Sequence, residues 1–221
     1  MVVPSLPELL RYKRPARSES EEDFIARYLP FDKDSHGNLL AQTGPGNPTI
    51  LWSCHTDTVH QAPGYQGLIT VADRYIASKS NCLGADDTTG IWIMLNMIAA
   101  RTPGLYIFHR DEEIGGRGSR HIAKTCPQIL TNLRAAIAFD RKGYGEAITH
   151  QLGQRTCSEA FALTLGTPTI GSFTDTANYT HMIPDCTNVS VGYFNQHTSQ
   201  EYQDVQYARQ VVDRFLSFHL R

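Results

Sequence analysis

In this 221-residue sequence, residue types that bind metal ions follow four predicted strands, and two more such residues lie in a predicted loop. His, Asp and Glu supply the nitrogen and oxygen ligands that zinc and related ions take in proteins. A single such residue at a strand end is usually a surface or capping residue. Several together favour a metal site, because functional groups collect at the edge where parallel strands end. The groups are His55-Thr56-Asp57, Asp86-Asp87, Asp111-Glu112-Glu113, Asp140-Arg141 and Asn195-Gln196-His197.

His55 and Asp57 lie two positions apart, which on a strand places both side chains on the same face. A carboxylate placed there can accept the second ring N–H of a metal-bound imidazole and fix its tautomer. The alternative is that Asp57 only caps a turn. The two residues alone leave both interpretations open.

Glu112 and Glu113 are adjacent, so both can face one point only if the backbone turns between them. A turn is expected because Ile114-Gly115-Gly116 follows directly. One carboxylate could then bind a metal ion while the other faces a water molecule. The alternative is a solvated acidic turn.

Apolar strands that alternate with helices are predicted to position these groups. This alternation is typical of an α/β fold, here a three-layer sandwich with a mostly parallel central sheet flanked by helices. The segment 48–54 is apolar enough to be a central strand covered on both faces. The predicted strands are 38–43, 48–54, 105–110, 135–140 and 188–194, with a hairpin over 67–78 and short strand-like pieces at 146–151 (EAITHQ) and 161–166 (FALTLG). The predicted helices are 18–29, 88–100, 116–125 and 202–219, the last with His219 in its apolar stripe.

Five short motifs resemble, in order and spacing, the co-catalytic di-zinc exopeptidases. That superfamily includes peptidase T, acetylornithine deacetylase, aminoacylases and bacterial leucyl aminopeptidases. The likeness extends from about residue 8 to residue 219. The motifs are HTDTV at 55–59, LGADDTTGI at 83–91, DEEIGGRGS at 111–119, FDRKGYGE at 139–146 and QHTSQEY at 196–202.

The resemblance implies two Zn²⁺ ions per chain, although Co²⁺ or Mn²⁺ can occupy the same nitrogen and oxygen ligands. His55 and Asp140 would bind one ion. Glu113 and His197 would bind the other, and the carboxylate of Asp86 would bridge both.

The resemblance also implies which residues act in catalysis. Glu112 would be the general base, and Asp57 would orient His55. Asp87 follows the bridging residue, at a position where the family often has a cis peptide bond. These roles imply hydrolysis of a peptide or amide bond by an activated water molecule, without a covalent intermediate.

The favoured function is an aminopeptidase-type exopeptidase acting on a small peptide. One alternative is deacylation of N-acyl amino acids or similar small amides, and another is an inactive binding module with the same fold. Only 35 residues separate Asp140 from Asp175, which leaves no room for the lid domain of the deacetylase branch. The expected organisation is therefore a single catalytic domain over residues 1–221 with no lid or dimerisation insertion.

Composition excludes several classes of protein. With 41% hydrophobic and 19% charged residues the chain is neither disordered nor fibrous. A net charge of -2 predicts no attraction to nucleic acid or to an anionic membrane. Five widely spaced cysteines and the lack of a secretion-type apolar stretch near the amino end indicate a cytoplasmic protein. The oligomeric state is not predicted.

Some residues near the motifs have no settled role. Arg141 and Lys142 either bind a substrate carboxylate or form ion pairs with nearby acids. Asp175 either supports the site or binds an amine, and Cys54 is expected to be a packed thiol. The basic residues Arg11, Lys13, Arg14 and Arg17 are interpreted as solvated surface. Candidates for stabilising an oxyanion are Tyr193, Tyr179, His150 and His181.

Overall fold

A computed structural model describes residues 2–218 of the chain. Its strands are Tyr12–Lys13 (β1), Asp32–Lys33 (β2), Leu39–Thr43 (β3), Ile50–His55 (β4), Gly64–Tyr65 (β5), Leu68–Val71 (β6), Tyr75–Ser78 (β7), Gly104–His109 (β8), Ala135–Arg141 (β9), Glu146–Gln151 (β10), Gln154–Arg155 (β11), Thr167–Ile170 (β12), Asp185–Ser190 (β13), Tyr193–Phe194 (β14) and Tyr202–Asp204 (β15). Its α-helices are Leu6–Leu9 (α1), Glu19–Tyr28 (α2), Ala85–Ala99 (α3), Arg117–Thr125 (α4), Glu159–Leu165 (α5) and Val205–Leu216 (α6), and two 3₁₀ helices cover Pro127–Leu130 and Asp175–Tyr179.

The main sheet has the strand order β11-β10-β13-β9-β4-β8-β3-β2, and β12 also pairs with β10. Its four central strands, β13, β9, β4 and β8, are parallel to one another. Antiparallel strands lie on both sides of them, through the β8–β3 and β13–β10 pairs. The carboxyl ends of the four parallel strands therefore meet at one edge of the sheet.

Helices cover both faces of this sheet, which confirms the predicted three-layer α/β fold. Every residue of β4 is buried. On one face, Trp52 stacks on Phe139 with ring centroids 5.9 Å apart, and α3 and α6 pack into the same apolar cluster. On the other face, Leu51 and Ile107 pack with Ile122 of α4. The strand predicted to be central is thus central, because both of its faces are apolar.

The predicted strand 188–194 is in fact two strands that belong to different sheets. β13 ends at Ser190, and β14 begins at Tyr193 in a four-stranded sheet of order β14-β15-β7-β6. Gly192 lies between them with φ of 90°, and a Cβ atom there would come within 2.7 Å of the Tyr207 ring. This glycine therefore lets the chain turn from one sheet to the other.

The predicted helix 202–219 begins later than expected. Residues 202–204 form β15, and α6 starts at Val205. Asp204 accepts hydrogen bonds from the backbone N–H groups of Gln206 and Tyr207, at 3.0 and 3.1 Å, and so caps the helix. The predicted stripe residue His219 lies outside the described residues.

The predicted strand-like piece 161–166 is wrong, because this segment belongs to helix α5. The hydroxyl of Ser158 accepts the backbone N–H of Phe161 and caps the helix. Ala162 and Leu165 are buried, at the spacing of a helix face. The piece 146–151 does form a strand, β10, so the prediction was right there.

All five cysteines are free. Cys54 is buried in β4, as predicted for a packed thiol. Burial raises the pKa of this thiol well above its ordinary value.

Within residues 2–218, no helix combines the length and apolar character needed to span a membrane.

Candidate metal centre

The five predicted metal ligands lie together at the carboxyl edge of the central strands. His55 ends β4, opposite His109 at the end of the parallel strand β8. The ligand atoms of His55, Asp86 and Asp140 lie within 4.8 Å of one another, and so do those of Asp86, Glu113 and His197. These two groups of three ligands share one residue, Asp86, and a third group, made of His55, Glu112 and Glu113, lies equally close together.

The carboxylate of Asp86 divides its two oxygens between the two histidines. Its Oδ1 lies 3.0 Å from Nε2 of His55, and its Oδ2 lies 3.1 Å from Nε2 of His197. Asp140 Oδ1 lies 3.7 Å from the same nitrogen of His55. Glu113 Oε1 lies 3.0 Å from Nε2 of His197. This is the geometry that a carboxylate shared by two cations needs.

Glu112 lies between the two groups, with Oε2 4.0 Å from Nε2 of His55. The predicted backbone turn next to it is present, since the carbonyl oxygen of Glu112 accepts the N–H groups of Gly115 and Gly116 at 2.9 and 2.8 Å. Asp111 precedes it with φ of 63° and is held by Arg17, whose Nη2 lies 2.6 Å from the carboxylate. This turn lets two adjacent glutamates face one site.

Asp57 holds the backbone of both glutamates. Its Oδ1 accepts the N–H of Glu112 and its Oδ2 accepts the N–H of Glu113, each at 3.1 Å. Nδ1 of His55 is hydrogen-bonded at 3.0 Å to the backbone carbonyl oxygen of Asp57, while the carboxylate is 3.5 Å away. Asp57 therefore orients the imidazole mainly through its carbonyl group and uses its carboxylate to fix the loop after β8.

The loop that carries Asp86 is anchored by Glu201, which sequence analysis missed. The carboxylate of Glu201 accepts four consecutive backbone N–H groups at 2.8 to 3.2 Å, those of Leu83, Gly84, Ala85 and Asp86. Burial and the charge of Asp86 raise the pKa of Glu201 to about 7, against the opposing effect of these N–H groups. Its position in the motif QHTSQEY was the available signal. The peptide bond between Asp86 and Asp87 is cis, as the resemblance implied.

Two other residues that hold Asp140 were also missed. Thr174 donates a hydrogen bond from its hydroxyl to Asp140 Oδ2 at 2.6 Å. The side chain of Asn188 accepts the N–H of Asp140 at 2.9 Å and donates to its carbonyl oxygen at 2.8 Å. Tyr193, one of the oxyanion candidates, donates to Asp140 Oδ1 at 3.1 Å. Asp140 is thereby fixed on three sides.

Burial raises the pKa of three carboxyl groups at this site. It raises the pKa of Glu113 to about 7, with a further contribution from the charge of Asp86. It raises the pKa of Asp140 to about 6 for the same reasons. The pKa of Glu112 rises well above its ordinary value, because the group is buried and lies near other carboxylates. A site of this kind favours the binding of positive charge.

The neighbouring carboxylates raise the pKa of the two histidines. The carboxylates of Asp86 and Glu113, 3.1 and 3.0 Å from Nε2 of His197, raise the pKa of that imidazole to about 11. Burial opposes protonation of His55, but hydrogen bonds to Asp140, Asp57 and Asp86 outweigh it and raise the pKa. Burial also disfavours the charge of Asp86, yet hydrogen bonds from His197 and His55 lower its pKa.

The side chains at this site fit metal ions. Glu113 Oε1 is buried and has no hydrogen bond of acceptable geometry within residues 2–218, although Nε2 of His197 is only 3.0 Å away. A carboxylate oxygen and an imidazole nitrogen so placed are suited to bind the same cation. One His and one terminal carboxylate per ion, with a shared Asp86, are ligand types that zinc accepts.

The remaining candidates lie at different places. Tyr193 lines the cleft beside the ligands, together with Arg141 and Lys142. Tyr179 is buried, with its hydroxyl 2.6 Å from Nε2 of His109. His150 lines a separate surface groove, and His181 is not among the residues that line the described clefts. Of the four oxyanion candidates, only Tyr193 reaches the cleft.

Asp175 is buried behind the cleft rather than in its lining. Its Oδ2 lies 3.4 Å from Nδ1 of His109. Burial raises the pKa of Asp175 to about 8. Neither of its carboxylate oxygens has a hydrogen-bond partner within residues 2–218.

Comparison with known structures shows the fold. The TET1 peptidase of Pyrococcus horikoshii, which can assemble into a tetrahedron or a large octahedral shell, is 15% identical with a TM-score of 0.72 over 98% of this chain and 100% of that chain. The aminopeptidase PepT of Bacillus cereus is 15% identical, with a TM-score of 0.68 over 96% of this chain and 94% of that chain. A zinc aminopeptidase of Bacillus subtilis is 17% identical, with a TM-score of 0.52 over 81% of this chain and 47% of that chain.

No protein-family model and no curated protein matches the sequence. The chain thus has the α/β fold of these peptidases at low sequence identity, which confirms the fold that the motifs implied.

Proposed function

We propose that the protein is a metal-dependent hydrolase that releases the amino-terminal residue of a small peptide. The observation that carries this proposal is the carboxylate of Asp86, whose two oxygens face His55 and His197 at 3.0 and 3.1 Å. The shared fold supports it, since structures with that fold include proteins named as aminopeptidases.

His55 and Asp140 would hold one metal ion, Glu113 and His197 the other, and Asp86 would touch both. Zinc suits these ligands, and cobalt or manganese can replace it. When bound, a pair of such ions polarises the scissile carbonyl group and lowers the pKa of water.

Glu112 is the group that we expect to move the proton. It is mostly buried between the two groups of metal ligands, with Oε2 4.0 Å from Nε2 of His55, where its carboxylate can accept a proton from the attacking water. It then delivers that proton to the leaving nitrogen. Asp57 fixes the backbone of Glu112, so the carboxylate does not have to be ordered during each turnover.

The chain is proposed to act as one catalytic domain without a lid. The segment after Asp140 is occupied by β10, β11, α5 and β12, all of which pack on or beside the main sheet. We also infer a cytoplasmic location, because five free cysteines suit a reducing compartment.

Metal content tests the two-ion proposal directly. Protein purified without chelator is expected to carry two zinc ions per chain by elemental analysis, because each group of three ligands can hold one ion. A content below about one ion per chain would exclude the two-metal site. A content near one would favour a one-metal hydrolase instead.

A pair of substrates tests the reaction. The zinc-loaded protein is expected to hydrolyse aminoacyl anilides and to leave N-acetyl amino acids intact, because an aminopeptidase requires a free α-amine. The reverse preference would identify a deacylase. Hydrolysis of neither class of compound, with both ions bound, would favour an inactive binding module.

A further inference from the structure

Two cationic residues follow the metal-binding residue Asp140, and they differ in their surroundings. Arg141 donates from Nε to Glu146 Oε2 at 2.8 Å, so its charge is compensated. Lys142 lines the same cleft as Glu112 and Glu113, is exposed, and has no ion-pair partner within residues 2–218. We propose that Lys142 binds a carboxylate of the substrate, on the leaving side of the scissile amide.

The backbone of Lys142 is fixed while its ammonium group is free. Its carbonyl oxygen accepts the hydroxyl of Ser190 at 2.9 Å. The next residue, Gly143, donates its N–H to the carbonyl oxygen of Tyr193 at 2.8 Å. The side chain thus starts from a rigid point at the rim of the cleft, which limits the entropy lost when it binds a ligand.

The charge distribution of the cleft favours an anion at Lys142. The other charged groups that line the cleft already have partners. The carboxylates of Asp86 and Glu113 contact His197, and Arg141 forms an ion pair with Glu146. An ammonium group without a partner attracts a carboxylate by charge-assisted hydrogen bonding. Because Lys142 lines the same cleft as the metal ligands, we place the bound carboxylate in that cleft, close to the scissile bond.

This inference rests on the proposed function and narrows its substrates. A carboxylate close to the scissile amide occurs on the second residue of a dipeptide. In a long peptide the terminal carboxylate is too far away, and in an anilide it is absent. We therefore expect a preference for dipeptides with a free carboxyl end.

The experiment compares a dipeptide with its carboxyl-terminal amide, using the zinc-loaded protein. The wild type is expected to show a kcat/KM about tenfold higher for the free acid, the size of effect typical of one charge pair in a partly exposed site. In Lys142→Met the ratio should fall to about one, and in Lys142→Glu the amide should become the better substrate.

A second measurement uses product inhibition. The free amino acid that leaves should inhibit the wild type more strongly than its amide, and this difference should vanish in Lys142→Met. Lys124→Met is the matched control, because Lys124 is exposed on α4 and does not line the cleft. For Lys124→Met, the ratio of kcat/KM for the free-acid dipeptide to kcat/KM for its amide should equal the wild-type ratio.

The outcomes separate the two proposals. A wild type that hydrolyses both dipeptides equally well, or a Lys142→Met variant that keeps the preference, would overturn the role of Lys142 and leave the proposed function standing. If zinc-loaded wild type hydrolyses neither compound, the proposed function fails, and this inference fails with it.

Discussion

Replacing Glu112 by Gln is expected to lower kcat by about 10²–10⁴-fold, the range that a positioned general acid–base group contributes. The amide is nearly the same size as the carboxylate but cannot accept the proton of the attacking water. Glu112 also lies within ligand distance of His55 and Glu113, but the two groups that share Asp86 are complete without its oxygen atoms. The zinc content of Glu112→Gln should therefore equal that of the parent.

Steady-state kinetics and elemental analysis on the same preparations check this expectation. Glu19→Gln is a suitable control, since Glu19 is exposed in the first turn of α2 and lies outside the cleft. Turnover by Glu112→Gln at the parental rate would show that another group takes the proton.

Replacing Glu201 by Gln is expected to lower the free energy of unfolding by about 2–6 kcal/mol. The carboxylate accepts four backbone N–H groups, two on each oxygen. An amide keeps one oxygen and places an NH₂ group against the other two donors. Each buried donor left without an acceptor costs about 1–3 kcal/mol, which gives the expected range for two donors.

The same substitution should also weaken zinc binding. Residues that hold a metal ligand in place typically contribute about 10–100-fold in metal affinity. Glu201 holds the loop of Asp86, so Glu201→Gln should bind zinc more weakly by an amount in that range. Chemical denaturation and a zinc competition titration measure the two effects, with Glu19→Gln again as control. Unchanged stability and unchanged zinc affinity would contradict the anchoring role.

The central layers of the fold were predictable because their sequence signals are local and strong. Strand β4 is buried along its whole length and helix α3 along most of it, so their apolar sequences identified both. The segment 161–166 was misassigned because a short apolar run is compatible with either a strand or a helix. The cap at Ser158, three residues before Phe161, was the signal that favoured the helix.

The predicted site residues lie close together in the structure. The residues that hold them in place by hydrogen bonds could not be predicted from the spacing of the motifs. The partners of Glu201 are more than 110 positions away along the chain, and Asn188 is 48 positions from Asp140. Such contacts depend on how strands meet at the sheet edge, and no local pattern encodes that. Only membership of a motif could have identified Glu201.

The basic residues before α2 also show that local sequence patterns do not reveal contacts between distant parts of the chain. Arg14 was expected on the solvated surface, but it is fully buried. Its Nε donates to the carbonyl oxygen of Thr56 at 2.8 Å, and its guanidinium lies 4.1 Å from the centroid of the Phe24 ring. A run of basic residues is usually exposed, and the neighbours that bury Arg14 come from distant parts of the chain.

The turn at Gly192, where the chain leaves the main sheet, divides the residues of the site into an earlier and a later group along the sequence. His55 and Asp140 precede that turn in the chain, whereas His197 and Glu201 follow it. A nascent chain that ends before His197 lacks one of the three ligands proposed for one ion and also lacks Glu201, the anchor of the shared carboxylate. Under the proposed ligand assignment, both ions can therefore be held only after the segment that follows Gly192 has been made and has folded against the loop of Asp86.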